Sequence, residues 1–64
     1  MTLTDEELIA LWAGADEIRS STFIRYAENA YNLSFEAARN LVYQLMEEGR
    51  IMLTGSYSLR RVQF

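Results

Sequence analysis

The chain has 64 residues, nine Asp or Glu, six bases that are all Arg, and no Cys, His, Lys or Pro, giving a formal net charge of −3. Without Cys or His there is no disulfide framework, no ordinary zinc ligand set and no Ser-His-Asp or Cys-His nucleophile. Catalysis, a metal and a cofactor are therefore not expected, and the 50% apolar, 12% aromatic content points to a folded rather than a disordered chain.

The length predicts one domain over residues 1–64. So small a domain has a thin margin of stability, so tight packing, a homodimer or docking on a partner is expected. No stretch approaches the roughly 20 apolar residues of a membrane span. The N-terminus opens on acids, unlike a signal or transit peptide, and the expected location is the cytoplasm. Charge is uneven. Residues 1–48 carry nine acids and three Arg, and residues 49–64 carry three Arg and no acid. That asymmetry suggests two faces with different partners, or one face tuned by both.

In chain order, the first helix is signalled by Thr4 as N-cap with Glu7 three residues on, a capping box. Leu3 and Leu8 have the spacing of a hydrophobic staple. Asp5, Glu6 and Glu7 suit the positive end of the helix dipole, so these acids have a local explanation. Leu8, Leu11, Trp12 and Ala15 form an apolar stripe at helical spacing, and Gly14 is the expected stop. Residues 15–20 read equally as helix or as a brief extended segment through Glu17, Ile18 and Arg19. A second helix is expected after a cap at Ser20 or Ser21, with Phe23, Ile24, Ala27, Ala30 and Tyr31 on its apolar side. Asn32 then suits a left-handed turn.

The third helix is predicted from a Ser34 cap, Glu36 in the first turn, and Ala38, Leu41, Val42, Leu45 and Met46 at helical spacing. Gly49 ends it. The period then changes to 2. Arg50 to Leu53 reads as a strand, Thr54-Gly55-Ser56 as a tight turn, and Tyr57 to Gln63 as a returning strand. In that strand Tyr57 and Leu59 share one face, and Val62 and Phe64 the other. A bulge near Arg60 and Arg61 would reconcile them. Trp12, Phe23 and Phe35 are expected in the core, and an exposed Tyr57 would be an interface anchor. Gly14, Gly49 and Gly55 each fall at a stop or turn, so there is no Gly-rich phosphate loop.

The predicted class is therefore mainly α with a C-terminal β-hairpin. Three helices followed by a hairpin is the winged-helix order, and the stretch T-F-I-R-Y-A-E-N-A-Y-N-L-S-F-E-A-A-R-N-L-V-Y-Q-L-M-E-E-G-R-I resembles the helix-turn-helix of small bacterial and phage winged-helix regulators. Ala27, Asn32, Leu33, Ser34, Leu45, Gly49 and Ile51 match the family's small crossing residue, turn, plug, cap and L-x-x-x-G-x-I ending. Asn32 stands where the turn residue is usually glycine.

The resemblance implies a regulator of transcription that binds double-stranded DNA, with the third helix in the major groove and the hairpin on the backbone. The base-reading candidates are Arg39, Asn40, Tyr43 and Gln44, types that pair with base edges. Arg50, Arg60 and Arg61, with Tyr57 on the hairpin and Ser34 at a helix start, are the backbone candidates. The alternative is a protein-binding winged helix. Small acidic helix-turn-helix proteins resemble phage or mobile-element inhibitors of a host machine, such as anti-CRISPR proteins. Glu36, Glu47 and Glu48 have the wrong sign for phosphate. The two readings are separated by whether Arg39, Arg50, Arg60 and Arg61 form a stripe clear of those acids.

Overall fold

A computed structural model describes residues 2–62. It contains α1 (Asp5–Leu11), β1 (Glu17–Arg19), α2 (Ser20–Tyr31), α3 (Phe35–Glu47), β2 (Ile51–Leu53) and β3 (Ser58–Arg61). The strands form an antiparallel sheet in the order β1-β3-β2. The class is thus mixed α and β, not mainly α, because the ambiguous stretch after α1 supplies a third strand.

The local signals act where they were expected. Thr4 Oγ1 accepts from the Glu7 N–H at 3.1 Å, and the Glu7 carboxylate accepts from the Thr4 N–H at 3.0 Å. Ser34 Oγ accepts from the Ala37 N–H at 3.1 Å and opens α3. Asn32 adopts φ 53°, the left-handed conformation that lets α2 turn into α3. Gly49, at φ 73°, frees the chain into β2. A Cβ built on Gly49 meets no atom within 4 Å. Gly49→Ala should therefore lose only the cost of the left-handed backbone, about 1 kcal/mol, read as a lower urea midpoint with an unchanged m-value.

Several boundaries differ from the sequence expectation. Helix α1 closes at Leu11 with Trp12 as its C-cap, and Ala13 and Gly14 both take positive φ. Gly14 and Ala15 thus lie beyond the helix, because Trp12 leaves it to enter the core. Neither Ser20 nor Ser21 caps α2. The cap is Arg19, which makes no side-chain cap bond. The reason is that β1 runs straight into the helix, and the Ser20 N–H donates to the Tyr57 carbonyl at 3.0 Å. Ala30 is exposed rather than on the packed side of α2.

The hairpin needs no bulge. Ile51 faces Arg61, Met52 faces Arg60 and Leu53 faces Leu59 in unbroken register. The change of parity occurs instead at Tyr57, whose φ of 59° places it in the turn ahead of β3. The expected strand end at Gln63 and the face of Phe64 lie outside the described residues.

The core joins all the elements: Leu3, Leu8, Leu11, Trp12, Phe23, Ala27, Ala38, Leu41, Val42, Leu45, Ile51 and Leu59 are buried. Ala27 and Ala38 are fully buried where α2 packs on α3, so small side chains let the two helices approach. Leu33 packs against this core from the turn, as the resemblance implied. Trp12 is the central tie. Its ring lies 5.3 Å from that of Phe23, and its Nε1–H donates to the Leu59 carbonyl at 3.1 Å. Tyr31 packs at the edge of the core, and burial, helped by the Glu7 carboxylate, raises its phenol above the usual 10. Among the described residues no helix is long and apolar enough to cross a membrane.

Candidate functional site

The outer face of α3 follows from which residues it buries. Ala38, Leu41, Val42 and Leu45 face the core. At about 100° per residue, the line opposite their mean direction passes through Glu36 and Glu47. Tyr43 and Asn40 lie within about 30° of that crest, and Arg39 and Gln44 about 70° down its two flanks. Glu36, Arg39, Asn40, Tyr43 and Glu47 are all exposed. Two carboxylates therefore sit on the most prominent line of the helix, with an aromatic ring beside them and the cation on the shoulder. Gln44 turns toward the C-terminus of the helix and donates from Nε2 to Glu48 Oε2 at 3.2 Å.

Phe35, expected in the core, is the first residue of α3 and is 58% exposed. Phe35 lies within about 20° of Val42 around the helix, so what leaves it open is its place in the first turn, ahead of the packed residues. It adds apolar area to the same helix as Tyr43, which is 53% exposed.

The three C-terminal arginines are placed very differently from one another. Arg50 is held against the N-terminal segment. Its Nη1 donates to the Leu3 carbonyl at 2.7 Å, its Nη2 pairs with Asp5 Oδ1 at 2.9 Å, and Glu48 Oε1 lies 3.9 Å from Nη1. Arg61 lies with its guanidinium carbon 5.6 Å from the centre of the Trp12 ring, and its buried Nε has no hydrogen-bond partner among the described residues. That stacking is a cation–π contact within the fold. Arg60 is exposed, on β3, with Glu17 directly across on β1 and Met52 across on β2. Of the four arginines whose arrangement separates the two readings, Arg39 and Arg60 face solvent, while Arg50 and Arg61 are engaged by other parts of the fold.

At the hairpin tip Tyr57 is 76% exposed, held in its left-handed turn with its N–H donating to the Thr54 carbonyl at 3.2 Å. Met52 and Leu53 on β2 are also exposed. Sequence reasoning did not single out those two residues. The signal present was the absence of any charged or turn-forming residue across 51–53, which marks an apolar strand but not which of its sides is open. Among the described residues no group of three or more Asp or Glu has the arrangement of a metal site. No family model, no curated protein and no solved structure matches the chain.

Proposed function

We propose that the chain is a winged helix whose α3 face and hairpin dock on a cationic protein surface, such as a basic groove that another protein keeps for nucleic acid. The winged-helix reading is supported by the element order, with α2, the Asn32 turn and α3 as the helix-turn-helix and β2–β3 as the wing. The choice of partner rests on one observation: Glu36 and Glu47 occupy the crest of α3, the line that would meet any partner first. Carboxylates there repel phosphate and attract Lys and Arg. The engagement of Arg50 by Asp5 and of Arg61 by Trp12 works in the same direction, because it withdraws two of the cations a phosphate backbone needs. Tyr43, beside that line and 53% exposed, supplies an apolar anchor of the kind that gives such an interface its energy.

A second reading, a DNA-binding regulator of transcription, is favoured by Arg39 and Asn40, both exposed on α3 and of types that read base edges. In it Ser34, Tyr43 and Gln44 on the helix and Tyr57 and Arg60 on the wing complete the contact.

An amide-resolved titration separates the two. Isotope-labelled protein at about 50 mM salt, where phosphate contacts are strongest, is mixed with a random-sequence duplex, an oligo-arginine peptide or an oligo-glutamate peptide. Shifts confined to residues 36–47 and the hairpin with oligo-arginine, and to none with the duplex, support the protein reading. Saturable duplex binding through the same residues would instead establish the DNA reading.

A further inference from the structure

The sheet ends in two edges of different character. On β1 the chain carries Glu17 and Arg19, charges that guard an edge, and it turns directly into α2 at Ser20. On β2 it reads Ile51-Met52-Leu53, with no charge, no proline and no bulge. Hydrogen bonds in an antiparallel pair fall on alternate residues. The Val62 N–H donates to the Arg50 carbonyl at 2.8 Å and the Thr54 N–H to the Ser58 carbonyl at 2.7 Å. The bonding residues of this strand are therefore 50, 52 and 54. The N–H and C=O of Ile51 and Leu53 point the other way, out of the open edge.

We infer that β2 is an association edge that pairs antiparallel with β2 of a second copy, about a two-fold axis through Met52. In that register Ile51 lies opposite the partner's Leu53, and each Leu53 opposite an Ile51. Both members of each pair have outward-pointing bonding groups, so four backbone hydrogen bonds form and no outward N–H or C=O of the strand is left over. A shift by one residue would set bonding groups against non-bonding ones. The two Met52 residues, each 52% exposed, meet as the close, non-hydrogen-bonded pair at the axis, and the exposed Leu53 side chains gain an apolar neighbour.

Charge does not oppose the pairing. The nearest outward cation is Arg60, which sits across from Met52 on β3. Two Arg60 residues would be three strand spacings apart, about 14 Å, beyond the screening length at physiological salt. Pairing of two β1 edges would instead add only the single apolar Ile18, so it offers less apolar burial. This inference concerns the β2 edge of the hairpin rather than the α3 crest, and it does not depend on the partner proposed for that crest.

The absence of any native cysteine makes the test direct. A single cysteine at the axis has only its own copy to join, and the roughly 4.5 Å Cα separation of a non-hydrogen-bonded pair falls within the span of a disulfide. Met52→Cys under mild oxidation should become mainly covalent dimer, while Ile18→Cys on the other edge and Glu36→Cys on α3 stay mainly monomeric. In the wild type, the amides of Ile51 and Leu53 should exchange with solvent at least about fivefold more slowly at high than at low protein concentration, with Glu17 and Arg19 unchanged. Cross-linking of Met52→Cys no faster than of Glu36→Cys, preferential cross-linking through Ile18→Cys, or concentration-independent exchange at Ile51 and Leu53 would each overturn the inference.

Discussion

Trp12→Ala should destabilise the cooperative fold by about 3–5 kcal/mol. Trp12 is 1% exposed, stands where α1 ends, packs at a tilt against Phe23 of α2, donates to Leu59 of the central strand and carries Arg61 over its face. It thus ties the end of α1 to α2 and to the sheet. Truncating a buried Trp costs about 3–5 kcal/mol through lost transfer energy and the cavity left behind. At roughly 0.05–0.15 kcal/mol per residue, a chain of this size has about 3–10 kcal/mol in total. The substitution therefore removes from about a third to all of the stability.

Trp12→Phe separates the two contributions. It keeps most of the apolar volume and deletes the Nε1–H. The Leu59 carbonyl is not orphaned by that loss. Strand alternation places Leu59 in a hydrogen-bonded pair with Ile18, so the oxygen keeps its ladder partner. The expected cost is about 2 kcal/mol, a smaller ring and one hydrogen bond. Far-UV circular dichroism during urea unfolding measures both variants without relying on the deleted fluorophore. A Trp12→Ala protein that unfolds cooperatively within about 1 kcal/mol of wild type would show that α1 is not fastened to the sheet through this ring.

The parts of the fold legible in the sequence are those whose causes lie within a few residues. Thr4 with Glu7, Ser34 with Ala37, Asn32 and Gly49 act on neighbouring backbone, so their roles follow from type and spacing. The parts that were not legible depend on partners far along the chain. Glu17-Ile18-Arg19 has no strong preference of its own and becomes a strand because β3 has a second edge to pair. Once it does, α2 starts from a backbone bond to Tyr57, and the serines expected to cap it are not needed.

The arginines show the same limit with more consequence for the candidate site. Arg50, Arg60 and Arg61 look equivalent in a stretch without acids. Their environments are set by Asp5, Glu17 and Trp12, each more than forty residues away in sequence. Arg39, Asn40 and Tyr43, expected on the open side of α3, are exposed, whereas Gln44 is half-buried and Phe35, expected in the core, is exposed. What the period alone did not rank was prominence, which puts Glu36 and Glu47 ahead of Arg39.

That ranking leads to the second large effect. On the proposed docking reading, Glu36→Lys combined with Glu47→Lys should create binding to duplex DNA. Both residues are exposed, and neither carboxylate makes a hydrogen bond or ion pair with the described residues, so the fold should tolerate the change within about 0.5 kcal/mol. The pair of substitutions takes the formal net charge from −3 to +1 and places two ammonium groups on the crest beside Arg39. With about three phosphate contacts, log K should fall with log salt at a slope near −2.7, or about 40-fold between 50 and 200 mM. The same variant should lose the oligo-arginine response that the proposal predicts for the wild type, because the attraction at the crest has changed sign. A double variant that folds yet shows no salt-dependent duplex binding would mean that α3 does not present this face to a partner. Wild-type protein that already binds with such a slope would mean that the two carboxylates do not govern the choice. The experiment thus asks of the molecule what the geometry implies: that two side chains on one line of α3, rather than the fold around them, decide between phosphate and a basic protein surface.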